Sequence, residues 1–84
     1  MIKLRYFASL REALNSEGED LQLPAEVSNV QQLRDWLAAR GGVWAEQFGE
    51  EKRLMMAINQ RMVKSADEFS HNDEVAFFPP VTGG

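Results

Sequence analysis

Asp73-Glu74-Val75-Ala76-Phe77-Phe78-Pro79-Pro80-Val81-Thr82-Gly83-Gly84, residues 73–84, holds a strand and the arm that leaves it. Val75 and Phe77 alternate with Ala76 and Phe78, the period-two pattern of a strand with one covered face. Pro79 stops the strand. The two prolines fix their own φ and push the residues before them toward extended conformations, so the chain continues as a stiff arm. Pro79 to Gly84 can span about 20 Å at roughly 3.3–3.6 Å per residue, enough to thread a narrow channel in another protein. At the tip, glycine without Cβ lets the backbone approach a channel wall or a phosphate closely. A frayed, idle terminus is the ordinary alternative. Such tails are usually polar, however, and the run Phe77-Phe78-Pro79-Pro80-Val81 is apolar.

Outward from this stretch, the rest of the chain supplies partners for the strand. Ile2, Leu4 and Tyr6 alternate with Lys3, Arg5 and Phe7, a first strand with the same period. Ala8 to Leu14 follows as a short helical turn. The polar run 15–20 is a turn cluster, and Leu21 and Leu23 form a short second strand stopped by Pro24. Ser28 and Gln31 have capping-box spacing at the head of the clearest helix, which carries Val30, Leu33 and Leu37 on one face and ends at Gly41-Gly42. Val43 to Phe48 adds another helical turn. Leu54, Met56 and Ile58 mark a third strand, Asn59-Gln60 a tight turn, and Arg61-Met62-Val63 a short fourth strand. Asn72-Asp73 turns into the last. One main helix must cover one face of the sheet to bury its apolar stripe. The order predicts an α+β fold, a β-grasp with a mixed sheet and its first and last strands parallel at the centre. The expected division is a folded domain over 1–78 and an extended arm over 79–84.

Composition narrows the function. At 84 residues there is room for one domain with a thin core. Such a domain cannot easily hold a deep catalytic cavity as well. Cysteine is absent, which excludes disulfides, thiolate metal sites and a cysteine nucleophile, and the single His71 excludes a multi-histidine metal cluster. A net charge of −4 argues against phosphate-backbone binding, so no nucleic-acid partner is expected. No apolar run approaches membrane-spanning length, and Met1 to Arg5 reads as a strand rather than a signal peptide, so a cytoplasmic protein is expected.

The chain resembles the MoaD-type sulfur carriers, the small subunits of molybdopterin synthase in the ubiquitin-like superfamily. The resemblance is strongest in Met1-Ile2-Lys3, Phe7-Ala8, Leu10-Arg11-Glu12, Asn59-Gln60 and Asp73 to Gly84. It departs from the family pattern at His71-Asn72-Asp73, where a glycine is expected in the turn. The resemblance implies that Gly84 is the working residue, its carboxylate adenylated with ATP by an E1-like partner. A sulfur donor protein acting through that partner would convert the adenylate to a thiocarboxylate. The large subunit of molybdopterin synthase would then receive Pro79, Pro80, Val81, Thr82 and Gly83 in its active site, where the sulfur attacks a cyclic pyranopterin precursor. On this reading the chain binds no cofactor or metal of its own and is a sulfur-donating subunit, half of an enzyme, without an active site. Strand alternation puts Phe7 and Phe78 outward at the root of the arm, and the resemblance adds Arg11 and Met62 to this docking patch.

Other features have simpler readings. Trp36, Trp44 and Phe48 stand at helical spacing and read as core. Met55 and Met56 straddle a strand, and His71 is a solvated turn residue. Glu17, Glu19 and Asp20 read as a solvated loop, and Glu50 to Arg53 as a surface charge run. Three alternatives share the fold: a sulfur carrier for thiazole formation, a ubiquitin-like modifier joined through Gly84 to a lysine, and an interaction module with an idle tail.

Overall fold

The computed structural model describes residues 1–80. Alternation in β1 (Ile2–Tyr6) sends Ile2, Leu4 and Tyr6 into the core and Lys3 and Arg5 to solvent. In β5 (Glu74–Phe78) Val75 and Phe77 are fully buried. The two strands pair in parallel, Leu4 opposite Val75 and Tyr6 opposite Phe77. β2 (Gly18–Leu21), β3 (Met55–Ile58) and β4 (Arg61–Val63) complete a sheet ordered β2-β1-β5-β3-β4, with every other pairing antiparallel. This is the expected ubiquitin-like β-grasp, with the first and last strands at its centre.

Three helices cover one face. α2 (Val30–Ala38) buries Val30, Leu33 and Leu37 completely. α1 (Ala8–Leu14) adds Leu10 and Leu14, and α3 (Val43–Phe48) adds Phe48. Phe48 meets Phe77 edge-on with ring centroids 5.2 Å apart. Arg34 of α2 fastens the segment after α3: its Nε donates to the Phe48 carbonyl at 2.8 Å, and Nη2 donates to the carbonyls of Gly49 and Lys52.

Two local expectations shift. The capping box is Asn29/Gln32, not Ser28/Gln31: the Asn29 side chain accepts the Gln32 N–H at 2.8 Å while Gln32 Oε1 accepts the Asn29 N–H at 3.2 Å. Both pairs have the same spacing. The choice falls to Asn29 because a bridge to Glu68 holds it extended, and because the Val30 and Gln31 N–H groups donate to Asp67 and Ser65. The second strand lies three residues earlier than Leu21/Leu23 suggests. Its ladder begins at Gly18, where a Cβ would sit 2.1 Å from the Leu4 carbonyl oxygen, so only glycine allows this approach. Its polar sequence hides it, because inward-facing Glu19 is neutralised rather than replaced by an apolar residue.

The turn lacking glycine is resolved by Asn72, which takes φ 71°, the left-handed conformation that asparagine tolerates better than most residues. Asp73 holds the turn by accepting the Ser70 N–H at 2.7 Å.

Candidate functional site

The uncovered face of the sheet carries the candidate site. Strand pairing sets its residues in rows. One row runs Gly18, Arg5, Ala76, Ala57, Met62 across β2, β1, β5, β3 and β4. The row beside it contains Phe78 and Met55, directly opposite one another, and Phe7, which follows β1. The Phe7 N–H donates to the Phe77 carbonyl at 3.3 Å, continuing the parallel ladder one step beyond the strand.

Phe7 and Phe78 meet edge-on, with ring centroids 6.5 Å apart and planes at 79°. Phe78 is half-buried, whereas Phe7, Met55 and Met62 are 42%, 37% and 56% exposed. The small Ala57 and Ala76 lie buried beneath their larger neighbours. Together these side chains form an exposed aromatic and methionine patch, the type of surface on which protein contacts form. It stands at the root of Pro79-Pro80, where the chain leaves the sheet.

Of the interface candidates, Phe7, Phe78 and Met62 share this face. Arg11 lies on α1, where its N–H donates to the Phe7 carbonyl at 3.3 Å and its exposed guanidinium lies 3.9 Å from the Glu17 carboxylate. Met55 belongs to the patch and sequence reading passed it over. Its outward direction was legible from the alternation with Met56, but its position against Phe78 depends on a strand pairing that local pattern does not encode. Pro79 and Pro80 are half-buried, and the remaining tail candidates, Val81, Thr82, Gly83 and Gly84, lie outside the described residues.

A second cluster sits at the covered edge of the sheet. Arg40 forms a two-pronged ion pair with Glu19, at 2.9 and 3.0 Å, and its guanidinium lies over the rings of Trp44 and Trp36, 4.4 and 5.1 Å from their centroids. The Tyr6 hydroxyl donates to Glu19 at 2.9 Å. The Arg40 hydrogen bonds hold the Glu19 carboxyl below its usual range, and burial pushes the Tyr6 hydroxyl well up. Phe48 is core as expected, but Trp36 and Trp44 are only partly buried and serve as faces for Arg40. The cluster ties β2 to α2 and α3. Among the described residues no group of three His, Asp or Glu side chains could hold a metal ion, and no helix is long and apolar enough to cross a membrane.

A family model described as the ThiS family matches residues 4–84. The chain belongs to the ThiS family. Two curated relatives share its full length: the molybdopterin synthase sulfur carrier subunit of Escherichia coli is 39% identical and that of Haemophilus influenzae 36% identical, each over 100% of both chains. A solved structure from Pyrococcus furiosus, described as subunit 1 of a molybdopterin converting factor, superimposes with a TM-score of 0.76 at 29% identity, covering 95% of this chain and 97% of that one. Membership of this family agrees with the β-grasp strand order.

Proposed function

We propose that the chain is the sulfur carrier subunit of molybdopterin synthase and that the Gly84 carboxylate is its working group. The observation that carries this reading is the full-length likeness to two relatives of that name. The aromatic patch at the root of the arm supports it, since a carrier needs a docking surface placed so that its end reaches a partner's active site.

The chemistry follows from the carboxylate. Its charge and resonance make it a poor electrophile, so it must first be activated. An E1-like partner uses ATP to form the acyl-adenylate at Gly84 and releases pyrophosphate. A persulfide on a donor protein attacks the acyl carbon and expels AMP. A second thiol then takes the donor sulfur into a disulfide and frees the thiocarboxylate. Docked on the large synthase subunit, the arm from Pro79 to Gly84 presents that sulfur to the pterin precursor. The chain supplies reach, docking and the sulfur-bearing carbonyl, while the large subunit supplies acid–base and phosphate-binding groups. Cysteine is not needed here, because the chain end itself stores the sulfur.

The test combines intact mass with product formation. With ATP, an active E1-like partner and a persulfide donor, the mass rises by the difference between one sulfur and one oxygen, and fragmentation places the change at Gly84. Deleting Gly83-Gly84 shortens the reach by about 7 Å. It abolishes conversion of the pterin precursor while changing stability by less than about 0.5 kcal/mol, as surface changes do. Near-normal product from the truncated chain would overturn the reading.

A further inference from the structure

We infer that Arg5 is a charged anchor of the docking face, and that the large synthase subunit meets it with a carboxylate at the rim of its apolar contact. The inference rests on the function proposed above and concerns how the partner is recognised.

The argument starts from the charges on the uncovered face. Lys3 lies between two acids in the ladder, opposite Asp20 on β2 and Glu74 on β5. Arg5, two residues on, lies between Gly18 and Ala76 and so has no acid opposite it on either side. Among the described residues the two ion pairs are Arg11–Glu17 and Arg40–Glu19. The acids near Arg5 each face another cation: Asp20 stands opposite Lys3, Glu19 is held by Arg40, and Glu17, just before β2, lies 3.9 Å from Arg11. On this face Lys3 and Arg5 stand against Asp20 and Glu74, and because both acids flank Lys3, Arg5 is the cation with no cross-strand acid beside it.

The surroundings of Arg5 suit recognition of a carboxylate. Its row continues through buried Ala76 and Ala57 to Met62, and Phe7 and Phe78 lie in the adjacent row, so its inner flank is apolar. On the outer flank, the missing side chain at Gly18 leaves a hollow lined by Lys3, Arg5, Asp20, Glu17 and Glu19, of which Glu19 is held by Arg40 and Glu17 lies 3.9 Å from Arg11, and a partner group can approach Arg5 through it. When a protein covers the aromatic patch, water leaves the inner flank and the effective dielectric falls, which strengthens an ion pair at its edge. The guanidinium offers a planar fork of donors matched to a carboxylate, a geometry lysine does not reproduce. A charge at an interface rim acts mainly on the association rate and on salt dependence.

The experiment measures binding of the intact chain to the large synthase subunit by stopped-flow and calorimetric titration, at about 0.05 M and about 0.5 M salt. Arg5→Glu is expected to slow association about tenfold at low salt and to lose most of that effect at high salt. Arg5→Leu should give about half of the effect on the logarithmic scale. Arg5→Lys should recover the rate but dissociate faster. Lys3→Leu, already flanked by acids, should stay within about twofold of wild type. All four should melt with the wild type. Unchanged rates and salt dependence in Arg5→Glu, alongside weakened binding by Phe78→Ala, would overturn the anchor and leave the functional reading standing. Equal effects from Lys3→Leu and Arg5→Leu would overturn it too, by showing only a diffuse field. A shift in self-association, with binding to the large subunit unaltered, would assign the face to a second copy instead. Absence of any binding by the wild type would remove both the anchor and the reading it rests on.

Discussion

The two faces of one strand, β5, do different work. Phe77 points under the helices and is fully buried against Phe48, whereas its neighbour Phe78 points the other way, half-buried beside Phe7 and Met55. The residues are chemically identical and adjacent in the chain. What separates them is the pleat, which sends successive side chains to opposite faces. One face is closed by α1, α2 and α3 and stabilises the domain. The other is left open with an apolar surface that a free-standing domain has no need to expose.

The largest expected effect breaks this comparison directly. Phe77→Ala should cost about 3–5 kcal/mol, the usual loss for a buried aromatic, and in so thin a core it should leave the domain close to unfolding at moderate temperature. Phe78→Ala should cost far less in a thermal melt. It should instead weaken binding to the large subunit by about 2 kcal/mol, or about 30-fold, as expected for an interface hot spot. If the two variants exchanged these behaviours, the assignment of faces would be wrong.

A smaller effect sharpens the closed face at its edge. Glu19 is inward-facing and charged, and it is tolerated there because Arg40 and Tyr6 donate to it. Glu19→Gln should cost about 1 kcal/mol, below the range for fully buried charged hydrogen bonds because the pair is partly solvated. The native carboxyl titrates below the ordinary value of 4.5. Its stabilisation is therefore whole above about that pH and is lost as pH falls through the lowered native value. The wild type should lose melting temperature over that acid range more steeply than Glu19→Gln. Parallel acid profiles would show that the ion pair contributes nothing.

The smallest effect touches neither face. Asn59 and Gln60 both have positive φ, 50° and 69°, in the two-residue turn between β3 and β4. Glycine is favoured at the second position of such a turn, and glutamine bears a steric cost there of about 1–2 kcal/mol. Part of that gain is offset by the greater freedom of glycine in the unfolded chain. Gln60→Gly should thus stabilise by about 0.5 kcal/mol and raise the melting temperature by about 3 °C, with docking unchanged. A fall in melting temperature would mean that the turn relies on the glutamine side chain.

Much of this was legible in the residues because it is local. The alternation in Ile2–Tyr6 and Glu74–Phe78, the apolar stripe Val30/Leu33/Leu37, the turns at Asn59-Gln60 and Asn72-Asp73, and the proline stop at Pro79 depend on neighbours a few positions apart. Phe7 beside Phe78 also followed, given alternation and a parallel central pair. The second strand was misplaced because its inward Glu19 looks like a loop residue until Arg40, 21 positions away, is brought against it. The capping box was shifted by one residue because Ser28/Gln31 and Asn29/Gln32 are equivalent in spacing, and a bridge from Asn29 to Glu68 breaks the tie.

The sequence by itself determined which side chains share a side of each strand, where the main helix lies, and the apolar approach to two glycines, since covalent geometry repeats at fixed periods. Beyond the central parallel pair of first and last strands, which the element order predicted, tertiary structure decided which strands lie side by side and in what register. That choice depends on burying all the apolar stripes at once. It set Met55 against Phe78, gave Lys3 acids on both sides, and left Arg5 between Gly18 and Ala76 with none.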